Sequence, residues 1–184
     1  MLFRSHWKHQ PTILRGWALA ELGQIDYGLN EIRAGLDGYE ATGSLLAVSW
    51  FRSLLANAFY KAGRPDAALR ALDDALAIAE RTGDLFFLAE IHRLQGEITF
   101  AHRGPAAVDD VVESYKRSLE VSRKQKALSW QLRSAISLAR LWRDVGKRQQ
   151  ATDLLVPVAR KFKEGFHTAD VKEAVHLMNE LEMR

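Results

Sequence analysis

The sequence predicts an all-α fold: a right-handed superhelical array of about four antiparallel helix pairs followed by one further helix. Three observations predict it. A punctuation pattern returns about every forty residues, the segments between the marks carry apolar residues at helical spacing, and small residues recur at equivalent places in successive segments. No segment shows the sustained two-residue alternation of β-branched residues that a strand requires.

Gly23-Gln24-Ile25-Asp26, Gly63-Arg64-Pro65-Asp66 and Gly146-Lys147-Arg148-Gln149 each fall between two helical stretches, while Thr42-Gly43 and Thr82-Gly83 mark the ends of the intervening helices. Glycine just past a helix end supplies a left-handed residue without a Cβ clash. Pro65 and Pro105 suit first helical positions, where the missing N–H costs nothing. The helices expected in order are 12–22, 25–41, 45–62, 65–81, 85–102, 106–124, 127–145, 148–163 and 169–182, forming pairs over 12–41, 45–81, 85–124 and 127–163. Connections of two to five residues between them make neighbours antiparallel. In 65–81 the stripe is Ala68, Leu69, Leu72, Ala75, Leu76 and Ala79, and 111–121 and 128–145 behave alike. Asp109 and Asp110 open the sixth helix, where carboxylates complement its dipole. Pro157 interrupts the apolar run 154–159 and is expected to bend the last pair. The closing helix, with Asp170, Lys172, Glu173, Glu180 and Glu182 outward, is expected to cap the array.

Aligned on the turn glycines, first helices carry Gly16, Ala56, Gly96 and Ala139 at one position. Second helices carry Gly28, Ala68, Val111 and Ala151, then Gly35, Ala75, Ser118 and Val158 seven residues on. A glycine inside a helix costs about 1 kcal/mol relative to alanine. Close approach of two backbones is the compensation, so these positions are expected to be buried at helix crossings. Ile32, Leu72, Tyr115 and Leu155, four residues after the first small position, fill the space between pairs.

This small–large pattern resembles the tetratricopeptide repeat over about residues 12–164, although the period of 40–42 exceeds that family's usual length of about 34 and the closing proline is missing. The phrases Leu14-Arg15-Gly16-Trp17-Ala18-Leu19-Ala20, Arg93-Leu94-Gln95-Gly96-Glu97 and Ser137-Leu138-Ala139-Arg140-Leu141-Trp142, with the ending from Glu164-Gly165-Phe166 to Glu173-Ala174, are similar to the C-terminal repeat region of bacterial multidomain proteins. Those proteins place an ATPase, with a cyclase or a transcriptional module, ahead of the repeats. The resemblance implies a protein–protein interaction module, the sensor or scaffold arm of a signalling protein, in one repeat domain over 1–184.

Composition agrees with a folded, non-membrane chain: 47% hydrophobic and 27% charged residues, with no apolar run near the roughly eighteen residues that span a bilayer. There are no cysteines and no secretory leader pattern at the N-terminus, so a cytoplasmic protein is expected. Catalytic motifs are missing too. Neither G-x-x-x-x-G-K-[ST] nor G-x-G-x-x-G occurs. The six histidines include no H-E-x-x-H, and His6 and His9 offer at most a weak metal pair at a solvated N-terminus. Asp73-Asp74 and Asp109-Asp110 are sequence neighbours that point to different helix faces. No enzyme activity, cofactor or metal is expected.

First helices of such pairs line the concave side. Counted from the small position, the groove residues are Trp17, Glu21, Ser53, Asn57, Tyr60, Lys61, Glu90, Arg93, Glu97, Arg133, Arg140 and Arg143, with Phe100 as an apolar wall. Of these, Asn57, Tyr60, Arg93, Glu97, Arg133, Arg140 and Arg143 are the predicted partner-binding set. The resemblance would allow a clamp for a peptide's terminal carboxylate, but Ile13 and Trp17 stand where its first lysine and asparagine would be. Four arginines on neighbouring helices repel unless an anion lies between them, so an acidic peptide or protein segment is the expected partner. The second reading is a nucleic-acid binder using residues 113–148, where ten Lys or Arg face three acids. Tryptophan stacking would serve it, though Trp17 and Trp142 follow the apolar stripe and suit core or groove walls. The first helix has no polar cap of its own, so a second copy of the chain or an upstream domain is expected against it.

Overall fold

The computed structural model describes residues 6–183. Among them are nine α-helices: α1 (His6–Glu21), α2 (Ile25–Glu40), α3 (Val48–Lys61), α4 (Pro65–Thr82), α5 (Leu88–Arg103), α6 (Val108–Lys124), α7 (Leu128–Asp144), α8 (Arg148–Ala159) and α9 (Ala169–Glu182). A short 3-10 turn, Gly104–Ala107, leads into α6, and no strand is found among the described residues. Each odd helix packs on the even helix after it, and α1, α3, α5, α7 and α9 also contact one another in succession. The molecule is a tetratricopeptide-like solenoid whose concave wall is built by the odd helices.

The small residues do what their spacing predicts. Gly16, Ala56, Ala68, Ala75, Gly96, Ala139 and Ala151 are all buried. At the α1–α2 crossing the two backbones nearly touch: a Cβ added to Gly28 would lie 2.5 Å from the Gly16 carbonyl oxygen and 2.8 Å from the Ala20 nitrogen. Gly63 and Gly146 adopt left-handed φ of 69° and 79° at the turns where glycine punctuation was expected. Pro65 and the acidic pair Asp109 and Asp110 sit in the first turns of α4 and α6.

Four expectations need correction. Helix α1 starts at His6, not at 12, and runs through the exposed Pro11, which has no N–H and so forgoes one backbone hydrogen bond. His9 is therefore part of a helix, with its ring over Gly38; the suggested pairing with His6 involves a side chain outside the described residues. Helices α3 and α5 start three residues late, because the preceding loops satisfy their polar groups elsewhere. The Ala47 N–H donates to Asp84 Oδ2 at 2.9 Å and the Tyr39 hydroxyl to the Leu46 carbonyl at 2.9 Å, while Ala47 takes a left-handed φ of 58°. Helix α8 ends at Ala159, so Pro157 lies in its last turn and is no mid-helix bend. Helix α9 does more than cap. It buries Val171, Ala174, Leu177 and Leu181 against α7 and α8, as a further odd helix, and turns Glu173 and Glu180 towards α7.

Buried apolar residues form two clusters, one from Ile13 to Ile98 and one from Ala107 to Leu181. Where they meet, the buried Ser118 hydroxyl donates to the Ala89 carbonyl at 2.5 Å and meets the Ser134 hydroxyl at 2.5 Å, beside the Tyr115 ring that packs at Gly96.

Candidate functional site

The odd helices enclose an open cleft of about 650 Å³. Its floor is apolar, from Leu94 and Ile98 of α5 and Ile136 and Leu141 of α7. The walls carry Asn57, Tyr60 and Lys61 of α3, Arg93, Glu97 and Phe100 of α5, and Arg133, Ser137, Arg140 and Asp144 of α7. Glu21 closes one end from α1, and Asp170 and Glu173 close the other from α9.

Six of the seven predicted partner-binding residues share this cleft: Asn57, Tyr60, Arg93, Glu97, Arg133 and Arg140. Arg143 does not line it; its guanidinium is held by Asp144 at 2.8 Å and by Glu180. Of the wider groove set, Ser53 is buried with its hydroxyl donating to the Trp50 carbonyl, and Glu90 is buried behind Arg93. Trp17 is exposed outside the cleft lining.

The premise of four unpaired arginines does not hold. Arg93 forms a two-pronged pair with Glu90, at 2.9 Å on each side, and reaches Glu97 at 2.5 Å. Arg133 contacts Glu90 at 3.0 Å and lies 4.0 Å from Asp170, while Arg140 contacts Glu173 at 2.5 Å. Lys61 is paired with Glu21 at 2.7 Å. Burial alone would lower the Arg93 pKa, but hydrogen bonds and charge from Glu90, then Glu97, outweigh it and hold the value above the ordinary arginine range. The cleft neutralises itself with acids from α1, α5 and α9.

The sequence reading missed Tyr115, Ser137, Asp144, Asp170 and Glu173 as cleft residues. Tyr115 belongs to α6 and reaches the cleft through the gap at Gly96, where an added Cβ would lie 2.7 Å from the tyrosine ring. Burial pushes its pKa up, well above the ordinary tyrosine value, so the hydroxyl stays protonated. Beside the cleft, Trp50 stacks on Phe87 with ring centroids 4.7 Å apart, Phe87 meets Trp130 edge-on at 6.3 Å, and the Arg133 guanidinium lies over Trp130 at 5.3 Å. These rings stack on one another and on Arg133, which leaves less free face for bases than the tryptophan count suggests.

The ten cations of 113–148 are divided. Lys116, Arg117, Arg123, Lys124 and Lys126 lie on α6 and the turn after it, where Arg117 and Lys124 pair with Glu113 and Glu120, and Lys147 is exposed just before α8. Arg133, Arg140 and Arg143 reach acids of α5, α7 and α9, and Arg148 donates to the carbonyls of Glu180 and Met183. They make no single phosphate-tracking stripe. Among the described residues no group of three or more His, Cys, Asp or Glu is placed to hold a metal ion, and no helix is long and apolar enough to cross a membrane.

A tetratricopeptide repeat family profile matches residues 50–82, which span α3 and α4. No curated protein sequence matches the chain. Among solved structures, the nearly identical tetratricopeptide-like repeats assigned to a kinesin light chain of Podosopora anserina superpose with TM-score 0.72 at 16% identity, covering 97% of this chain and 87% of that one. BtubC (BKLC) from P. vanneervenii superposes with TM-score 0.67 at 16% identity, covering 98% and 83%. A Rap protein complexed with Competence and Sporulation Factor gives TM-score 0.62 at 14% identity, covering 94% of this chain and 52% of that one. The fold is a tetratricopeptide-like α-solenoid, and its second helix pair carries the sequence signature of the tetratricopeptide repeat.

Proposed function

We propose that residues 1–184 form one repeat domain that binds a peptide or protein segment in the concave cleft, and that it serves as the cytoplasmic sensor or regulatory arm of a bacterial signalling protein. It acts by binding, without chemistry of its own. The observation that carries the reading is the cleft itself. Five successive odd helices, each roughly 10 Å from the next, contribute to one trough with an apolar floor and hydrogen-bonding walls. A long open trough suits an extended chain, whereas small-molecule sites are mostly enclosed and apolar. The Rap protein, complexed with Competence and Sporulation Factor on a similar fold, supports the same direction. The signalling context rests on the resemblance of the phrases around Gly16, Gly96 and Ala139 to bacterial repeat regions.

The test places a photo-crosslinking residue at Asn57 in the cleft, and separately at exposed Arg70 on α4, and compares the partners trapped in the source cell. A partner trapped from Asn57 and lost in a Tyr60→Ala variant is the expected result. Equal trapping from both positions places the binding surface elsewhere. Self-association against the first helix is a separate expectation, suggested by exposed Leu22 and Trp17 at that end, and sedimentation velocity decides it.

A further inference from the structure

We propose that the edge formed by the connections from even to odd helices docks on an anionic lipid surface. Leu45, Leu46, Leu85 and Phe86 insert, while basic residues further along the edge meet the headgroups. This goes beyond the cleft reading and does not depend on it.

The first observation is a repeated, built loop. Thr42-Gly43-Ser44-Leu45-Leu46 and Thr82-Gly83-Asp84-Leu85-Phe86 stand forty residues apart and fold alike. In each, the threonine hydroxyl accepts the N–H of the residue two further on at 3.3 Å. Each presents two large apolar side chains to solvent: Leu46 and Phe86 are both 66% exposed, with exposed Leu45 and Leu85 beside them. Phe86 meets Phe87 edge-on and Phe87 stacks on Trp50, so the exposed side chains stand on an apolar base. Exposed apolar clusters of this kind mark a protein or a membrane contact.

The second observation favours lipid. The connections are tied together in a row: the Ala47 N–H donates to Asp84 Oδ2 at 2.9 Å, and the Gln125 side-chain amide donates to the Leu85 carbonyl at 2.6 Å. The Tyr39 hydroxyl donates to the Leu46 carbonyl at 2.9 Å. Backbone groups that enter a bilayer lose water and need internal partners. These backbone groups keep theirs when the side chains insert.

The third observation is charge. Further along the same edge, residues 123–126 and 160–166 hold Arg123, Lys124, Lys126, Arg160, Lys161 and Lys163, all exposed, against Glu164 alone. Lys124 pairs with Glu120 and Lys161 reaches Gln131. Arg123, Lys126, Arg160 and Lys163 have no acid partner among the described residues. Phe166, also exposed, lies in the last of these connections. On the apolar half, Asp84 is engaged by Ala47, Glu40 by Arg52, Glu80 stands beside Arg81, and Asp37 lies a turn back along α2. Apolar side chains next to unpaired cations match the boundary between acyl chains and anionic headgroups. Two copies meeting edge to edge would bring these cations together, and a nucleic acid finds no ring to stack on in Leu45, Leu46 or Leu85.

The experiment uses the full chain and sedimented vesicles of phosphatidylcholine, alone or with about 30% phosphatidylglycerol, at about 50 and 200 mM salt. The anionic vesicles are expected to bind at least about tenfold tighter, with the difference shrinking at the higher salt. Leu46→Ser/Phe86→Ser and Lys126→Gln/Lys163→Gln are each expected to weaken that binding about tenfold. The chain has no cysteine, so a polarity-sensitive dye on Leu46→Cys reports one place, with Arg70→Cys on exposed α4 as the reference. A blue shift on anionic vesicles at 46 and none at 70 is the expected result. Circular dichroism melts of each variant separate loss of binding from loss of fold. No binding to anionic vesicles, equal binding to both kinds, or binding that Leu46→Ser/Phe86→Ser leaves unchanged overturns the proposal. Self-association in sedimentation velocity that this variant abolishes, without vesicle binding, assigns the edge to a second copy and overturns it as well. Retention of a single-stranded oligonucleotide in place of vesicles does the same in favour of nucleic acid.

Discussion

Gly28 and Gly38 lie on the same helix, yet an added methyl meets different obstacles at the two positions, so the pair tests the α1–α2 crossing. At Gly28 the new Cβ falls 2.5 Å from the Gly16 carbonyl oxygen and 2.8 Å from the Ala20 nitrogen, against about 3.4 Å for ordinary contact. Both obstacles are backbone, so the helices have to part by up to about 0.9 Å, and overpacking of this kind costs about 1–3 kcal/mol. Replacing a helical glycine returns at most about 1 kcal/mol. Because both obstacles are backbone, the cost falls at the upper end of that range, and the net expectation for Gly28→Ala is a loss of about 2 kcal/mol, or roughly 4–8 °C in melting temperature for a domain of this size. At Gly38 the obstacle is the His9 ring, 2.3 Å away, which can swing out towards solvent. There the propensity gain dominates, and Gly38→Ala is expected to melt at the parent temperature or up to about 4 °C above it. Thermal unfolding followed by circular dichroism reads both. If Gly28→Ala melts with or above the parent, or both variants fall equally, the close backbone crossing is refuted.

Ala139→Leu, at a fully buried crossing on α7, should cost about 1–3 kcal/mol by overpacking, measured by urea denaturation. Glu90→Ala strips Arg93 and Arg133 of a shared buried partner and should cost about 3 kcal/mol, whereas Glu113→Ala on exposed α6 should stay within about 0.5 kcal/mol. Equal losses would mean that the concave network contributes no more than a surface pair. Burial lowers the His92 pKa below the ordinary value of about 6.5, and its Nδ1 has no partner among the described residues. The unfolded chain therefore binds the proton first. This contribution is complete above about pH 6.5 and is lost as pH falls below it. His92→Gln should flatten the fall in urea midpoint between about pH 7.5 and 5.5, and an unchanged slope would remove His92 as its cause.

The helix order was legible because its signals are local: a turn glycine, an apolar stripe and a small residue each act within a few positions. Boundaries failed where the deciding contact is distant. Val48 opens α3 because Ala47 is tied to Asp84 in the next repeat, a contact that no window around Ala47 contains. The Arg93 pairs with Glu90 and Glu97 could have been read from their i−3 and i+4 spacing. The partners of Arg133 and Arg140 could not, since they require α9 to lie along α7 as the next odd helix. One signal did point that way: Arg93, Arg133 and Glu173 recur at forty-residue intervals, which puts an acid where two arginines precede it. Tyr115 was expected to fill the space between pairs, but its ring packs within its own pair, against Gly96 of α5, and lines the cleft. Its hydroxyl enters the cleft only because Gly96 leaves a gap for the ring.

The two apolar clusters meet inside the third helix pair, where the Ser118 hydroxyl bonds the Ala89 carbonyl and the Tyr115 ring fills the gap at Gly96, and that meeting is the joint of the array. The cleft straddles this joint, with Asn57 and Tyr60 on one side and Arg140 and Asp144 on the other. Curvature and occupancy are then thermodynamically linked. A segment that bridges the two walls fixes the bend, and any force or neighbouring domain that changes the bend changes the affinity by the same factor. A repeat arm with such a joint can report a binding event at its concave wall as a change in the angle between its two ends.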